Sequence, residues 1–545
     1  SGTFAFAEPA RDLDRDGARD VYAVAMDYEV TIDFGPVPIL LMDISYTGET
    51  IVTALSGRRE KVLWEKKYPD LVVPVDARVG RKGRNGTLML YGLNTTTGPI
   101  DQWEIKVEAL EGRRGKKLWE RSYRTTIVDA YPAIVATDAP VGIDVFDGMK
   151  GRADDILIGL TDIVFAGVAY TSVTRAVVID GRTGTENEHP ARDVAVNWIA
   201  DPWAVRDLDD DGRDDYVVAN VDSVASGDEG APEVTDILTA RRGTDGRDIW
   251  TRGGYDFEQI AWIFPLRDVN ANGDPDIAVN TMRGSNYAMH TYLTDGGDGI
   301  ARWDGPGGWP YSPGDIDRNG FRDIVTRDVH VRFGQNMIAM KLWARGGSGR
   351  KLWARTFRTR YTPAPVCTSI CFTFIMSGFG EIGDLDRDRV EDSFVRHQIE
   401  HDPGGRETFF YTVDNRQGHS SNHGGEERWP LFASVDGRGA DLADVTLTAS
   451  GSEVTARRGH GAPSQLWRTT LDFDMPIVKQ KSSVWARGVR LDRDRCAEVL
   501  LTVATPKRIV LVVLDGSDGS VSWHRTLLGP RTAVRSSTGS TPLPC

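Results

Sequence analysis

The 545-residue chain is long enough for about three or four ordinary domains or for one large repeat body, which excludes a small disulfide-stapled scaffold. Hydrophobic residues make up 40% and charged ones 26%, with 58 Gly, 26 Pro and 15 Trp, a globular composition rich in turn formers that favours many short strands over long helices. A net charge of -14 without any basic stripe argues against nucleic acid or an anionic membrane surface as partner and favours cations.

In chain order, the first element is a strand around Thr3–Phe6, followed by an acidic nonapeptide with Asp12, Asp14, Asp16, Gly17 and Asp20, and then by strand character at Val21–Val24. The nonapeptide recurs with Asp207, Asp209, Asp211, Gly212 and Asp215, with Asp268, Asn270, Asn272, Gly273 and Asp276, and with Asp315, Asp317, Asn319, Gly320 and Asp323. A fifth copy has Asp384, Asp386, Asp388 and Asp392, with Arg389 where the others have Gly. Weaker relatives run from Asp76 to Thr87, from Asp147 to Asp155, from Asp436 to Asp444 and from Arg490 to Glu498, which brings the count to nine.

A second element alternates with the first: a turn with two glycines followed by a strand carrying Trp. Gly112 and Gly115 precede Trp119, Gly243 and Gly246 precede Trp250, and Gly516 and Gly519 precede Trp523. Related segments end at Trp64, Trp303, Trp353, Trp429 and Trp467, while the copy at Gly181 and Gly184 lacks the Trp. Each unit thus supplies about four short strands over roughly 43 to 71 residues, as a propeller blade requires. A blade cannot bury both faces alone, so a repeated Trp suits the seam between neighbours.

The expected fold is all-β, a closed β-propeller of four-stranded blades, eight or nine in number. The propeller is expected over residues 1–527, with the N-terminal strand completing the last blade, and residues 528–545 form a C-terminal tail. The four cysteines allow three pairings. Pairing Cys367 with Cys371 and Cys496 with Cys545 would fit an oxidising, extracellular or cell-surface location, as would the glycosylation sequons at Asn85 and Asn94. Free thiols are the alternative, and a zinc site fits the spacing poorly.

Oxygens at positions 1, 3, 5 and 9 with Gly at 6 let a tight loop wrap a hard cation, and the geometry selects Ca²⁺ over Mg²⁺ or a transition metal. The expected ligands are Asp12, Asp14, Asp16 and Asp20; Asp207, Asp209, Asp211 and Asp215; Asp268, Asn270, Asn272 and Asp276; Asp315, Asp317, Asn319 and Asp323; and Asp384, Asp386, Asp388 and Asp392. The ninth loop is expected to stay empty, because Arg490 at its first position would pair with Asp492 or Asp494.

At these residues the chain resembles the FG-GAP and VCBS repeat propellers, the type that includes the head of integrin α chains, and its Gly turns and Trp strands resemble the docking segments of quinoprotein propellers. The resemblance implies structural Ca²⁺ in the loops, no further cofactor, and protein or glycan recognition on the other rim. The function expected is a secreted or cell-surface, non-catalytic recognition, adhesion or self-assembling scaffold with no membrane span. A quinoprotein-type dehydrogenase and a polysaccharide-degrading enzyme on a calcium propeller are the alternatives. No nucleophile elbow, P-loop or dinucleotide fingerprint is present, so no catalytic residue is expected. His397 with Glu400 and His401, and His419 with His423, read as loop histidines rather than metal ligands. Long departures from the repeat, Thr31 to Glu49 and His401 to Glu427, are candidate recognition loops.

Overall fold

The computed structural model describes residues 2–538 except for 35–41, 59–60, 70–71, 81, 95–102, 126–142, 147–152, 167–168, 190–193, 196–201, 225–232, 254–257, 284–287, 333–334, 363–371, 385–387, 403–404, 423–427, 434–440, 448–450, 458–464, 474–482, 493, 495, 506 and 531–532. Nine small antiparallel sheets stand in a ring, a nine-bladed β-propeller. The blades occupy residues 2–68, 72–125, 143–189, 202–252, 258–306, 308–360, 372–422, 428–473 and 483–528. In each, four strands pair in sequence order, so every connection within a blade is a hairpin. Blade 3 adds a short strand, Val194–Ala195, beside its third.

The blade boundaries differ from expectation by one strand. Gly2–Ala10 pairs along its whole length with Asp20–Phe34, so the N-terminal strand opens blade 1 rather than completing blade 9. The acidic loop is the cause: it closes a hairpin that returns the chain against the strand just before it. The strand expected to end one blade therefore begins the next. Blade 9 takes all four of its strands from 483–528, and the ring closes by packing. Ala7, Val21, Ala23 and Leu55 of blade 1 form one core with Val489, Leu500, Leu511, Val513 and Trp523 of blade 9. Thr3 donates to the Thr505 carbonyl at 2.6 Å, and Arg487 pairs with Glu8. Within the C-terminal tail, Val534–Thr538 covers the outer strand of blade 8, Gln465–Phe473, a sheet edge otherwise open to pairing.

The seams depend on Trp, as the repeat predicted. An indole on the fourth strand of one blade donates through Nε1 to a carbonyl in the turn between the third and fourth strands of the next. Trp64 reaches Gly112 at 2.6 Å, Trp250 reaches Gly296 at 2.6 Å, Trp467 reaches Gly516 at 2.7 Å, and Trp523 closes the circle on Gly57 at 3.0 Å. Trp119, Trp303 and Trp353 make the equivalent bonds. Each buried indole removes roughly 150 to 250 Å² from water. Trp429 is an exception to the reading: it lies on the first strand of blade 8, Arg428–Ala433, and the fourth strand of blade 7, His419–Asn422, carries no Trp.

The second glycine of the turn serves the same contact. Gly519 has φ +74°, and a Cβ there would stand 2.5 Å from Cε3 of Trp467. Gly519→Ala should therefore destabilise the chain by about 2 kcal/mol or more, combining backbone strain with a clash against a fixed ring. Gly212, with φ +82° and nothing within 4 Å of its added Cβ, meets strain alone. Gly212→Ala should cost about 1 kcal/mol. Urea unfolding midpoints of the two variants check the order; equal losses would show that the indole does not fix the turn.

Candidate metal centres

The acidic loops join the first and second strands of their blades, on the same rim as the Gly turns. Their backbone shape comes from the carboxylates themselves. At position 1, Asp12 accepts the Asp16 amide at 3.0 Å and the Gly17 amide at 2.8 Å; Asp207 and Asp315 do the same in their loops. Position 4 is left-handed without being glycine, at Arg15, Asp210, Ala271 and Arg318, with φ from 60° to 71°. Arg389 takes φ 74° where the other loops have Gly, and Asp384 still receives its amide at 2.8 Å.

Position 9 connects the loop to the seam. Asp20 is fully buried; its Oδ2 accepts the Leu13 amide at 2.6 Å and its Oδ1 the Gly57 amide at 3.1 Å. Gly57 is the residue whose carbonyl receives Trp523. Asp215 repeats the arrangement with Leu208 and Gly243, and Asp392 holds the Asn415 amide.

Carboxylate oxygens from positions 1, 3 and 9 lie within 4.8 Å of one another in three of the expected loops: Asp12, Asp14 and Asp20; Asp207, Asp209 and Asp215; Asp315, Asp317 and Asp323. Such clustered acids can hold a metal ion. Asp16 and Asp211 lie outside these triads, their amides folded onto positions 1 and 3. Two oxygens, Asp16 Oδ2 and Asp323 Oδ1, are buried without any hydrogen-bond donor, which is where a positive charge fits.

The other loops differ. In the third, Asn270 donates its side-chain amide to Asp276 at 2.8 Å and to Asp295 at 2.9 Å, Asn272 also donates to Asp295, and Arg302 pairs with Asp295 at 3.0 Å. The side-chain amides of Asn270 and Asn272 thus satisfy Asp276 and Asp295, the latter a member the sequence reading missed, while Asp268 accepts the backbone amides of Ala271 and Gly273. In the fifth, Arg416 pairs with Asp388 at 2.7 Å, and Asp386 lies outside the described residues. The ninth loop corrects the expectation: Arg490 is exposed and makes no ion pair with Asp492 or Asp494, which instead gather with Glu498 as a fourth triad. Its side chain points to water, and a guanidinium gains little by leaving it for two exposed acids.

Arginine also substitutes for a diffusible ion in the weak copies. Arg11 of blade 1 pairs with Asp76 of blade 2 and Asp154 at the edge of blade 3, each at 3.1 Å, and Arg78 pairs with Asp154 at 2.5 Å. Arg242 pairs with Asp209, and Arg350 with Asp317 at 2.8 Å. The triad of Asp12, Asp14 and Asp20 has no such partner among the described residues.

Cys496 is buried and disulfide-bonded. Cys367, Cys371 and Cys545 lie outside the described residues. The Asn85 side chain donates to the Asp12 carbonyl at 2.9 Å, a bond that a glycan on that nitrogen would weaken. His397 is buried with Nδ1 3.0 Å from Ser377 Oγ, and burial pushes it down to about 4, so it stands neutral inside blade 7. His397 and His401 share one extended strand, Asp392–Asp402, where four residues span about 13 Å and cannot converge on one ion. His419 is exposed; the side chains of Glu400, His401 and His423 lie outside the described residues.

No protein family model matches the chain, and no curated protein matches it. Among solved structures it is similar to rhamnogalacturonan lyase YesW, with 13% identity over 94% of this chain and 80% of that one and a TM-score of 0.36. The Dos1 propeller shares 9% identity over 77% of this chain and 94% of its own, at 0.31. An apocarotenoid oxygenase of Synechocystis shares 12% over 86% and 96%, also at 0.31. Likeness at this level carries no argument about activity.

Burial raises the position-9 carboxyl groups from an ordinary value near 4 to about 6 for Asp20 and Asp323 and about 7 for Asp215 and Asp276. The folded chain therefore holds more protons than the unfolded one between about pH 4 and 7, so stability falls as pH rises through that window. Chelator-treated protein should melt at a higher temperature at pH 5 than at pH 7.5. The reverse order, measured by circular dichroism, would mean that these groups are ionised at little cost.

Proposed function

We propose that the chain is a secreted or cell-surface, calcium-binding propeller of FG-GAP/VCBS type that serves as a non-catalytic recognition, adhesion or self-assembling scaffold. The observation that carries this reading is the set of three oxygen-only triads on one rim, each with a buried position-9 carboxylate that accepts a backbone amide of its own loop. Hard carboxylate oxygens in a tight loop, without His or Cys, fit Ca²⁺. Asp12, Asp14 and Asp20 would hold the ion in blade 1, Asp207, Asp209 and Asp215 in blade 4, and Asp315, Asp317 and Asp323 in blade 6. Bound there, the ion cancels the repulsion among the acids and fixes the loop that positions the Gly turn.

Blade 1 is the strongest site in this reading, because Arg242 and Arg350 already neutralise one carboxylate each in blades 4 and 6. The disulfide at Cys496 supports an oxidising location, and we assign Cys545 as its partner, with Cys367 joined to Cys371. The recognised partner is a protein, a glycan or a further copy of the chain.

At pH 7.5, Ca²⁺ should raise the melting temperature of chelated protein by several degrees, as expected of a ligand that binds only the folded state. Asp12→Asn should remove the tightest step of a calorimetric titration and leave the weaker ones. A melting temperature indifferent to both chelator and Ca²⁺ would overturn the calcium reading. Release of new reducing ends from acidic polysaccharides would overturn the non-catalytic one. Non-reducing peptide mapping should recover Cys496 linked to Cys545.

A further inference from the structure

The first strands of successive blades touch one another between blades 3 and 4, 4 and 5, 5 and 6, 8 and 9, and 9 and 1, so these strands ring the axis. Two of them are irregular at the same place. In blade 5 the register slips between Ile260 and Trp262, and in blade 6 it slips twice between Gly308 and Gly314. Bulges of this kind re-aim side chains out of the ladder. Here Trp262 is 37% exposed, and its ring lies 5.0 Å from that of Trp309 with 33° between the planes. Trp309 itself has φ +47°, a strained conformation for a bulky residue, which proteins retain mostly at functional positions.

Behind this pair stands Arg327, on the second strand of blade 6. Its guanidinium carbon is 4.6 Å from the Trp309 ring centre and 5.7 Å from that of Phe379 in blade 7. Its Nε is buried without a hydrogen-bond partner, and its Nη1 reaches only the Ser377 carbonyl, at 3.5 Å. Burial alone pushes the guanidinium down to about 10, with no acid beside it among the described residues to offset the loss of water. Arg11, Arg242, Arg302, Arg350 and Arg416 each face a carboxylate, whereas Arg327 has two aromatic faces and, among the described residues, no counter-ion.

We propose that Trp262, Trp309 and Arg327 form a binding site on the axial side of blades 5 to 7 for a carboxylate carried on a ring with an apolar face. Trp262 covers the ring and Arg327 pairs with the carboxylate. Stacking and charge-assisted bonding then act together on one ligand. The two sources of that chemistry are a uronic acid residue of a polysaccharide and a free aromatic carboxylate. The site lies apart from the acid triads and does not depend on their ions; it rests on the recognition reading only in that binding without turnover is expected.

The test is calorimetry on the full chain with three probes: trigalacturonate, the neutral galactotriose and indole-3-acetate. At least one acid should bind, and the neutral sugar should bind about tenfold more weakly or not at all. Trp262→Ala, at an exposed position, should weaken the acid about tenfold with its melting temperature unchanged. Arg327→Gln should abolish the preference for the acid, and Arg327→Lys should restore part of it. Failure of both acids to bind, equal binding of acid and neutral probes, or unchanged affinity in Trp262→Ala would each overturn the site. Cleavage of trigalacturonate, read by mass spectrometry, would instead end the non-catalytic reading and leave the site standing.

Discussion

The bond from an indole N–H to a glycine carbonyl in the following blade is the interaction on which the rest of the ring depends. It fixes two sheets that no strand pairing joins, and it does so at a polar point within an apolar seam, where an unpaired N–H or C=O is costly. The turn that supplies the carbonyl is itself held from the other side, because the buried carboxylate at the end of the acidic loop accepts the amide of the same glycine, as Asp20 does for Gly57 and Asp155 for Gly181. Loop, turn and indole thus form a relay in which each part positions the next. Where the Trp is missing after blade 3, Leu157, Ala176 and Val178 pack against Tyr216 and Val218 of blade 4 instead.

A relay built on buried carboxylates needs positive charge, and the chain supplies it in two ways. Between blades 1, 2 and 3 the charge is covalently attached, on Arg11 and Arg78. In the fifth unit it comes from Arg302 and in the seventh from Arg416. The triads of blades 1, 4, 6 and 9 retain acids that these side chains do not fully offset. The same loop shape therefore serves either a tethered guanidinium or an exchangeable cation, and substitutions of Asp by Asn shift the balance further by turning an acceptor into a donor, as Asn270 does toward Asp276.

Much of this was legible in the sequence because the loops are local devices. Asp at positions 1, 3, 5 and 9 and paired glycines before Trp specify hairpins through their own backbone bonds, so nine copies point to eight or nine blades, and the structure has nine. Pairing partners are less legible. The pattern orders Phe6, Asp12 and Val21 along the chain, but only the sheet shows that the strand before the loop pairs with the one after it. Trp429 has suitable composition around it and the wrong strand. The left-handed residues at position 4 vary from Arg15 to Ala271, so no residue type marks them. Arg327 and Trp309 left no signal either, since their juxtaposition comes from bulges on neighbouring blades.

Because the four strands of every blade come from one contiguous stretch of chain, only Val534–Thr538, added to the edge of blade 8, is borrowed from elsewhere, and among the described residues the first and last blades share no strand pairing. Duplication or loss of a whole segment of the gene would then add or remove one complete wedge without rewiring any ladder. The circumference of such a ring is free to drift over evolutionary time, and the same seam between the two ends is the place where it would first gape under mechanical load.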